Sequence, residues 1–551
     1  MAGHFWVFIS FIFFTALVAL STWFFTRRED TSTQSGFFLA GRSLTFPFIA
    51  GSLLLTNLST EQMVGLNGDA FAFGLSEMVW EVVAVVALVA MALFFLPRYL
   101  KSGITTLPEL LEIRYNHTTR VLCNLVFLIF YATVLLPIIL YTGAKGLTDM
   151  MDMRQITGIE NDTVLLWGMV WLVGLIGSAY ALFGGLRTVV VSDTFNGIGL
   201  LIGGLLITFF GLSFIGDGSG CISGFTKMYQ EIRPRFNSIG GPDSNTPFGT
   251  IFAGVIIIHL FYWCTNQQII QRTLAAKSLQ EGQKGVLLCG ALKLLGPLYL
   301  VLPGIMAYYI YHHMEVPDFK IPAPVNAYGT LVRFVLPKPL VGFFAAVMVG
   351  AILSSFNSAL NSTCTLFTLD IYKKYLRPAA SNREVVLAGQ IFGGVIAVIA
   401  MLVAPLLAGK TSIFGFLRIM DGFYSIPIFA IILMGLLNRK TPAAAANFAL
   451  LFGLGFIALA HFVLPRLPGG FDPIKLCGNI FYFYGIVFAM LIIIMLLWSI
   501  LSPRREGAWI QQDVGAVNLT PWRYAVPVGI VLLILVFLNY AVFADFSVLW
   551  K

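Results

Sequence analysis

Charge is what this chain has least of. Asp, Glu, Lys and Arg together make up 11% of its 551 residues, less than half of the ~25% usual in soluble domains. With 58% hydrophobic residues and a mean hydropathy of +0.86, a soluble protein on a single anchor is excluded. The six cysteines are scattered with no CxxC pair, so metal and dithiol redox motifs are absent. Only Cys221 and Cys477 fall in loops expected outside, where a disulfide and two unpaired thiols are both open readings. Long polar segments are missing as well. The longest connection, about 216–247, is rich in Gly, Ser, Pro and Asn and too short for a folded catalytic or signalling domain.

What is present is a series of apolar runs. Windows of ~20 residues give about fourteen spans, near 3–26, 45–72, 76–98, 121–145, 163–184, 188–215, 247–271, 285–312, 329–375, 385–408, 412–437, 441–464, 477–501 and 524–546. The run 329–375 is too long for one span and must bend or leave the membrane. The first run has its positive pair, Arg27-Arg28, behind it and no small-residue cleavage site. That reads as a retained span rather than a signal peptide. Placing every second connection in the cytoplasm gathers most basic residues there, among them Arg42, Arg98, Lys101, Arg114, Arg120, Arg272, Lys373 and Arg439. This bias accounts for the net charge of +8 without a nucleic-acid partner. It puts both termini outside, in a multi-pass plasma-membrane protein (the inner membrane of a bacterium). The Asn116-His117-Thr118 sequon falls on the inner side and is discounted.

Polar residues at membrane depth must offset their desolvation, so they are the strongest functional clues. The stretch 51–68, GSLLLTNLSTEQMVGLNG, has a polar middle between glycines. A broken helix of this kind frees carbonyls for a cation and helix ends for a substrate. Small and polar residues also suit plain helix packing. In AILSSFNSALNST, 351–363, Ser354, Asn357, Ser358 and Asn361 share one helix face. Hydroxyls and carbonyls there suit a hard monovalent cation, and a close-packed interface equally. A third group, His259, Tyr262, Trp263, Asn266 and Gln267, combines flat rings with amides, the equipment of a sugar site. Glu81, Asp193, Lys293, Arg418 and Asp421 are charges inside spans. Arg418 and Asp421 are also spaced for a local ion pair, and for Glu81 and Lys293 a structural ion pair is the other reading.

The strings FFLAGRSL, SLLLTNLSTEQMVG, TLPELLEIRYN, GGLRTVVVSD, NQQIIQRTLAAKS and ILSSFNSALNSTCTLFTLDIYKKY together resemble the sodium:solute symporter family, in its sodium–glucose/galactose branch. The likeness runs from about Phe37 to Lys440. It implies an all-α LeuT-type fold in a single transporter domain, 1–551. An extra helix at 3–26 precedes a ten-helix core of two inverted five-helix repeats at 45–437, and three helices follow at 441–546. It implies Na⁺ as the coupling ion, held by the carbonyls of Leu55 and Leu58 with Ala351, Ser354 and Ser355, and Asp193 on the ion's inward path. By position, Gln62, Glu81, His259, Lys293 and Arg418 would hydrogen-bond the sugar. Tyr262 would close the site from inside, and Leu66, Trp80 and Phe414 would form the outer lid.

Two positions depart from the branch. Arg418 stands where its sugar transporters usually have Gln, and His259 where a bacterial member has Asn. A guanidinium pairs with planar anions. The expected solute is therefore a galactose- or glucose-like hexose, with a sugar acid or sulfonated sugar as the alternative if Arg418 faces it. A membrane sensor would need an attached signalling domain. An enzyme would need a nucleophile–base pair or metal spacing, which the spans lack. Proton coupling in place of sodium stays open. A monomer suffices for the expected transport.

Overall fold

The computed structural model describes residues 2–27, 33–59, 61–151, 153–317, 319–408, 413–468 and 470–550. Among them the chain is helical, and β-pairing is confined to two isolated bridges, Leu44 with Ala276 and Ser278 with Asn518. In chain order the elements used below are α1 (Ala2–Thr26), α2 (Phe46–Asn57), α3 (Asn67–Phe73) and α4 (Leu75–Ser102). Next come α5 (Leu107–Arg114), α6 (His117–Thr148), α7 (Asp162–Leu182) and α8 (Gly184–Ile215). They are followed by α9 (Gly254–Thr265), α10 (Gln267–Leu274), α11 (Leu279–Lys293) and α12 (Pro297–His313). The last group is α13 (Lys338–Leu376), α14 (Asn382–Leu407), α15 (Ile413–Leu437), α16 (Ala443–Arg466), α17 (Ile480–Leu501) and α18 (Ala525–Val542).

Eleven of the described helices are long and apolar enough to cross a bilayer, or twelve if α11 and α12, bent by 44°, form one span. The expected count of about fourteen is not reached by this measure, for a physical reason. At 45–72 and 247–271 the apolar runs are not continuous helices. Their first halves, α2 and α9, have 12 residues each, about 18 Å of helix against a ~30 Å hydrocarbon core. The over-long run 329–375 resolves into a separate helix, Ala327–Val335, and α13. Its break falls at Leu336-Pro337, where proline opens the next helix.

The α7–α8 boundary rests on Gly185, at φ 63° and ψ −177°, a backbone open only to glycine. A Cβ there would also lie 3.2 Å from the Phe37 carbonyl oxygen. Helices α2 and α8 meet through small residues. A Cβ on Gly51 would lie 2.8 Å from Thr194 Oγ1 and 2.9 Å from Thr194 Cα. Overpacking of this kind costs about 1–3 kcal/mol. Gly51→Val is thus expected to lower thermal stability in detergent, and wild-type stability for that variant would mean the helices can part freely.

On the face that carries Arg98, Lys101 and Arg114, the segment between α17 and α18 forms a strap. Arg504 N and Trp509 N donate to the carbonyls of Lys440 and Arg439, both at 3.0 Å. Trp509 Nε1 donates to Ile113 O in α5 at 3.2 Å, and Gln511 Nε2 to Ser102 Oγ in α4 at 2.6 Å. Val514 N reaches Lys101 O at 3.1 Å, and Asn518 O accepts from Leu279 N in α11 at 2.9 Å. On the same side, Arg120 is bound to Asp370 and lies 2.6 Å from Glu112, which also pairs with Lys374. Partial burial alone would raise the Glu112 carboxyl, but the hydrogen bonds from Lys374 and Arg120 outweigh it and hold it below the ordinary range.

Candidate functional site

Both broken helices owe their breaks to polar residues. At the end of α2, Leu58 leaves helical backbone (φ −78°, ψ 69°), and Ser59 N turns back to Asn57 O at 2.8 Å. The chain resumes as a π-helix, Glu61–Leu66, that runs into α3. The carbonyls of the last α2 turn thereby lose the amide donors that a continuing helix would supply. At the end of α9, Asn266 is extended (φ −68°, ψ 123°) and its side chain accepts from Gln268 N. That is the N-cap that asparagine favours. Tyr131 of α6 donates to the Asn266 side chain, which donates in turn to Tyr424 OH of α15 at 3.4 Å.

A cavity lies between the two breaks. Thr56, Asn57, Ser59 and Gln62 line it from the first break, and Trp80 from α4. His259, Tyr262, Trp263, Asn266 and Gln268 line it from the second break. Ser355 of α13 and Leu417, Asp421 and Tyr424 of α15 complete the polar and aromatic wall. Trp80 and His259 pack with centroids 5.5 Å apart, and Tyr262 stands edge-on to Trp263 at 5.3 Å. Several buried polar atoms of this wall have no hydrogen-bond partner among the described residues: Gln62 Oε1, His259 Nε2, Trp263 Nε1 and Gln268 Oε1. Buried groups of that kind are costly unless a ligand or water satisfies them.

Glu81 and Lys293 stand just behind the wall. Lys293 Nζ lies 2.6 Å from Glu81 Oε2, with both side chains wholly buried. It also donates to Asn57 Oδ1 and sits 5.5 Å from the Trp263 ring centroid. The pair fixes two cavity-lining side chains rather than lining the cavity itself.

The residues expected to hold sodium gather where α2, α8 and α13 meet. Leu55, Leu58 and Ala351 are fully buried, and Ser354 and Ser355 nearly so. Ser355 Oγ donates to Thr56 O at 3.4 Å, and the hydroxyls of Thr56 and Ser358 are 3.3 Å apart. Ser354 Oγ has no hydrogen-bond partner within 3.5 Å among the described residues, and its hydroxyl lies beside the Asp193 carboxylate. Asp193 accepts from Ser52 Oγ at 2.6 Å. The set offers hydroxyl and carbonyl oxygens with one carboxylate behind them, the donor chemistry a hard cation needs.

Of the expected solute contacts, Gln62 and His259 line the cavity, whereas Glu81 and Lys293 pair behind it. Among the expected gates, Tyr262 and Trp80 line it, and Leu66 is buried in the core. The side chains of Arg418 and Phe414 lie outside the described residues; their backbone belongs to α15. Sequence reasoning missed Gln268 and Tyr424, and it misplaced Arg272. Read as a basic loop residue, Arg272 is instead fully buried in α10. The amide run Asn266-Gln267-Gln268 was the available signal, since a polar half-helix is where a buried charge can be satisfied. Gln267 faces away from the cavity and binds Leu107 N at 2.9 Å. All six cysteines are free, including Cys221 and Cys477.

The sodium:solute symporter family pattern matches residues 37–453. The chain is 43% identical over 540 residues to an uncharacterized symporter, YidK, of Escherichia coli, covering 98% of this chain and 91% of that protein. It is 32% identical over 475 residues to the sodium/glucose cotransporter of Vibrio parahaemolyticus, covering 83% and 85%. Among solved structures, a Na⁺-coupled sialic acid symporter in a substrate-bound outward-open state superposes with a TM-score of 0.75 at 20% identity. It covers 90% of this chain and 98% of that one, so the fold is of the LeuT type. The chain belongs to the sodium:solute symporter family and is a sodium-coupled, multi-pass membrane transporter of a small solute, not an enzyme.

Proposed function

We propose that the protein takes up a galactose- or glucose-like sugar with sodium by alternating access. The carrying observation is the cavity wall, where Trp80, Tyr262, Trp263 and Tyr424 alternate with Asn57, Gln62, Asn266 and Gln268. Rings pack against the C–H faces of a hexose while amides and the imidazole meet its hydroxyls. The resemblance to sodium/glucose cotransporters supports the same reading. Sodium at Leu55, Leu58, Ala351, Ser354 and Ser355 binds first and stabilises the outward-open state. The sugar then closes the outer lid, and one helix bundle rocks against the other. Ser355 belongs to both the ion set and the cavity wall, so ion and solute share a boundary. Both termini are read as lying outside.

A sugar acid or sulfonated sugar is the second reading. Glu81 is engaged by Lys293, and Asp421, spaced for a local pair with Arg418, lies on the cavity wall. Uptake of labelled galactose into proteoliposomes, with and without an inward Na⁺ gradient, tests both readings. Competition by neutral hexoses supports the first. If sugar acids compete and neutral hexoses do not, and Arg418→Gln reverses that order by about tenfold or more, the second holds. No sodium-stimulated uptake or competition by any sugar would overturn both.

A further inference from the structure

We infer that Arg272 is a positioning residue that sets sodium affinity by sharing Asp193 with the ion and passes the ion's presence to the solute cavity. The inference rests on the proposed sodium-site reading. Arg272 is fully buried in α10, the half-helix after the second break. Its Nε donates to Ser52 Oγ at 2.8 Å, and one terminal nitrogen donates to Ser358 Oγ. Ser52 is one turn before Leu55 on α2, and Ser358 is one turn beyond Ser354 on α13. The guanidinium therefore grips both helices that carry the ion set, next to the ligands on each. Its other terminal nitrogen donates to the Gln268 carbonyl, and the Gln268 side chain lines the cavity with its Oε1 unpartnered.

Charge completes the argument. The ion set contains no carboxylate, and the carboxylate beside it is Asp193. Asp193 Oδ2 is held by Ser52 and lies 3.7 Å from Arg272, while Oδ1 is buried without a partner. Two cations thus compete for one anion in a medium where charges are weakly screened. A sodium ion arriving at the set repels the guanidinium and draws on Asp193. Any shift of Arg272 is carried to Gln268 through the hydrogen bond to its carbonyl. Because the linkage is thermodynamic, sugar at the cavity must raise sodium affinity by the same factor.

Equilibrium binding of radioactive Na⁺ to the purified full-length protein, with and without saturating galactose, tests this. Arg272→Gln leaves all of Asp193 to the ion and is expected to tighten sodium binding by at least about fivefold. Arg272→Lys keeps the charge but not the fork. It should hold sodium affinity near wild type and lose most of the galactose effect on it. Should Arg272→Gln fail to fold, Ser358→Ala removes one grip without changing charge and is expected to weaken the galactose effect alone. The Arg272→Gln, Asp193→Asn double variant should bind sodium less tightly than Arg272→Gln. Equal affinity in those two, or an unchanged galactose effect in Arg272→Lys and Ser358→Ala, overturns the inference. Sodium binding weakened by about tenfold in Ser355→Ala is the separate test of the ion site, and wild-type sodium binding in that variant overturns the site reading instead.

Discussion

Lys293→Met is expected to yield a protein that folds poorly or unfolds far below the wild type. The substitution leaves Glu81 charged, fully buried and without its 2.6 Å partner. Breaking a buried pair from one side costs about 3–5 kcal/mol, a large share of the stability of any domain. It also frees Asn57 and Trp263, so the cavity loses its support together with its charge balance. The Lys293→Met, Glu81→Gln double variant removes the stranded charge and should recover most of the stability but not the transport. Thermal unfolding followed by size-exclusion in detergent reads the first effect, and proteoliposome uptake the second. A single variant as stable as wild type would show that Glu81 is neutral in the folded protein.

The second large effect is on ion dependence. Ser355→Ala deletes a hydroxyl that borders both the ion set and the cavity and that donates to the Thr56 carbonyl. Loss of one oxygen ligand from a site with few should raise the sodium concentration for half-maximal uptake by about tenfold, equivalent to ~1.4 kcal/mol. At saturating sodium the solute KM should stay within about twofold, because the wall keeps its rings and amides. Sodium activation curves of uptake check this, and an unchanged curve would sink the assignment of Ser355 to the ion.

Much of this was legible in the sequence because membrane burial makes polar residues expensive. The polar interruption at Thr56, Asn57 and Ser59 is visible in a string of letters, and it is where α2 ends. The Ser354–Asn361 face is likewise buried in α13, as its helical spacing required. Three things were not legible, each for a reason. The number of unbroken spans was not legible, because hydropathy averages over a break and does not say how much helix lies on each side of it. Arg272 looked like a loop cation because positive charge near an apolar run usually is one. Its partners, Ser52, Asp193 and Ser358, lie 79 or more positions away, and no local pattern announces them. For Glu81 and Lys293 the sequence left solute contact and a structural pair both open, and the choice depends on α4 and α11 lying side by side, which is a tertiary fact.

The strap between α17 and α18 makes the two faces of the transporter unequal. It is stitched to α4 and α11 at one set of points and to α5 and the α15–α16 turn at another. A motion that draws the first pair away from the second must stretch or break those bonds, each worth about 0.5–1.5 kcal/mol net. The strap then acts as a tether with a rest length, adding an elastic penalty to opening of the face it crosses. A few such bonds are enough to shift a two-state balance tenfold or more. A protease cut within the strap releases the tether while leaving every helix intact, and the resting population should then move toward the state open at the strap's face.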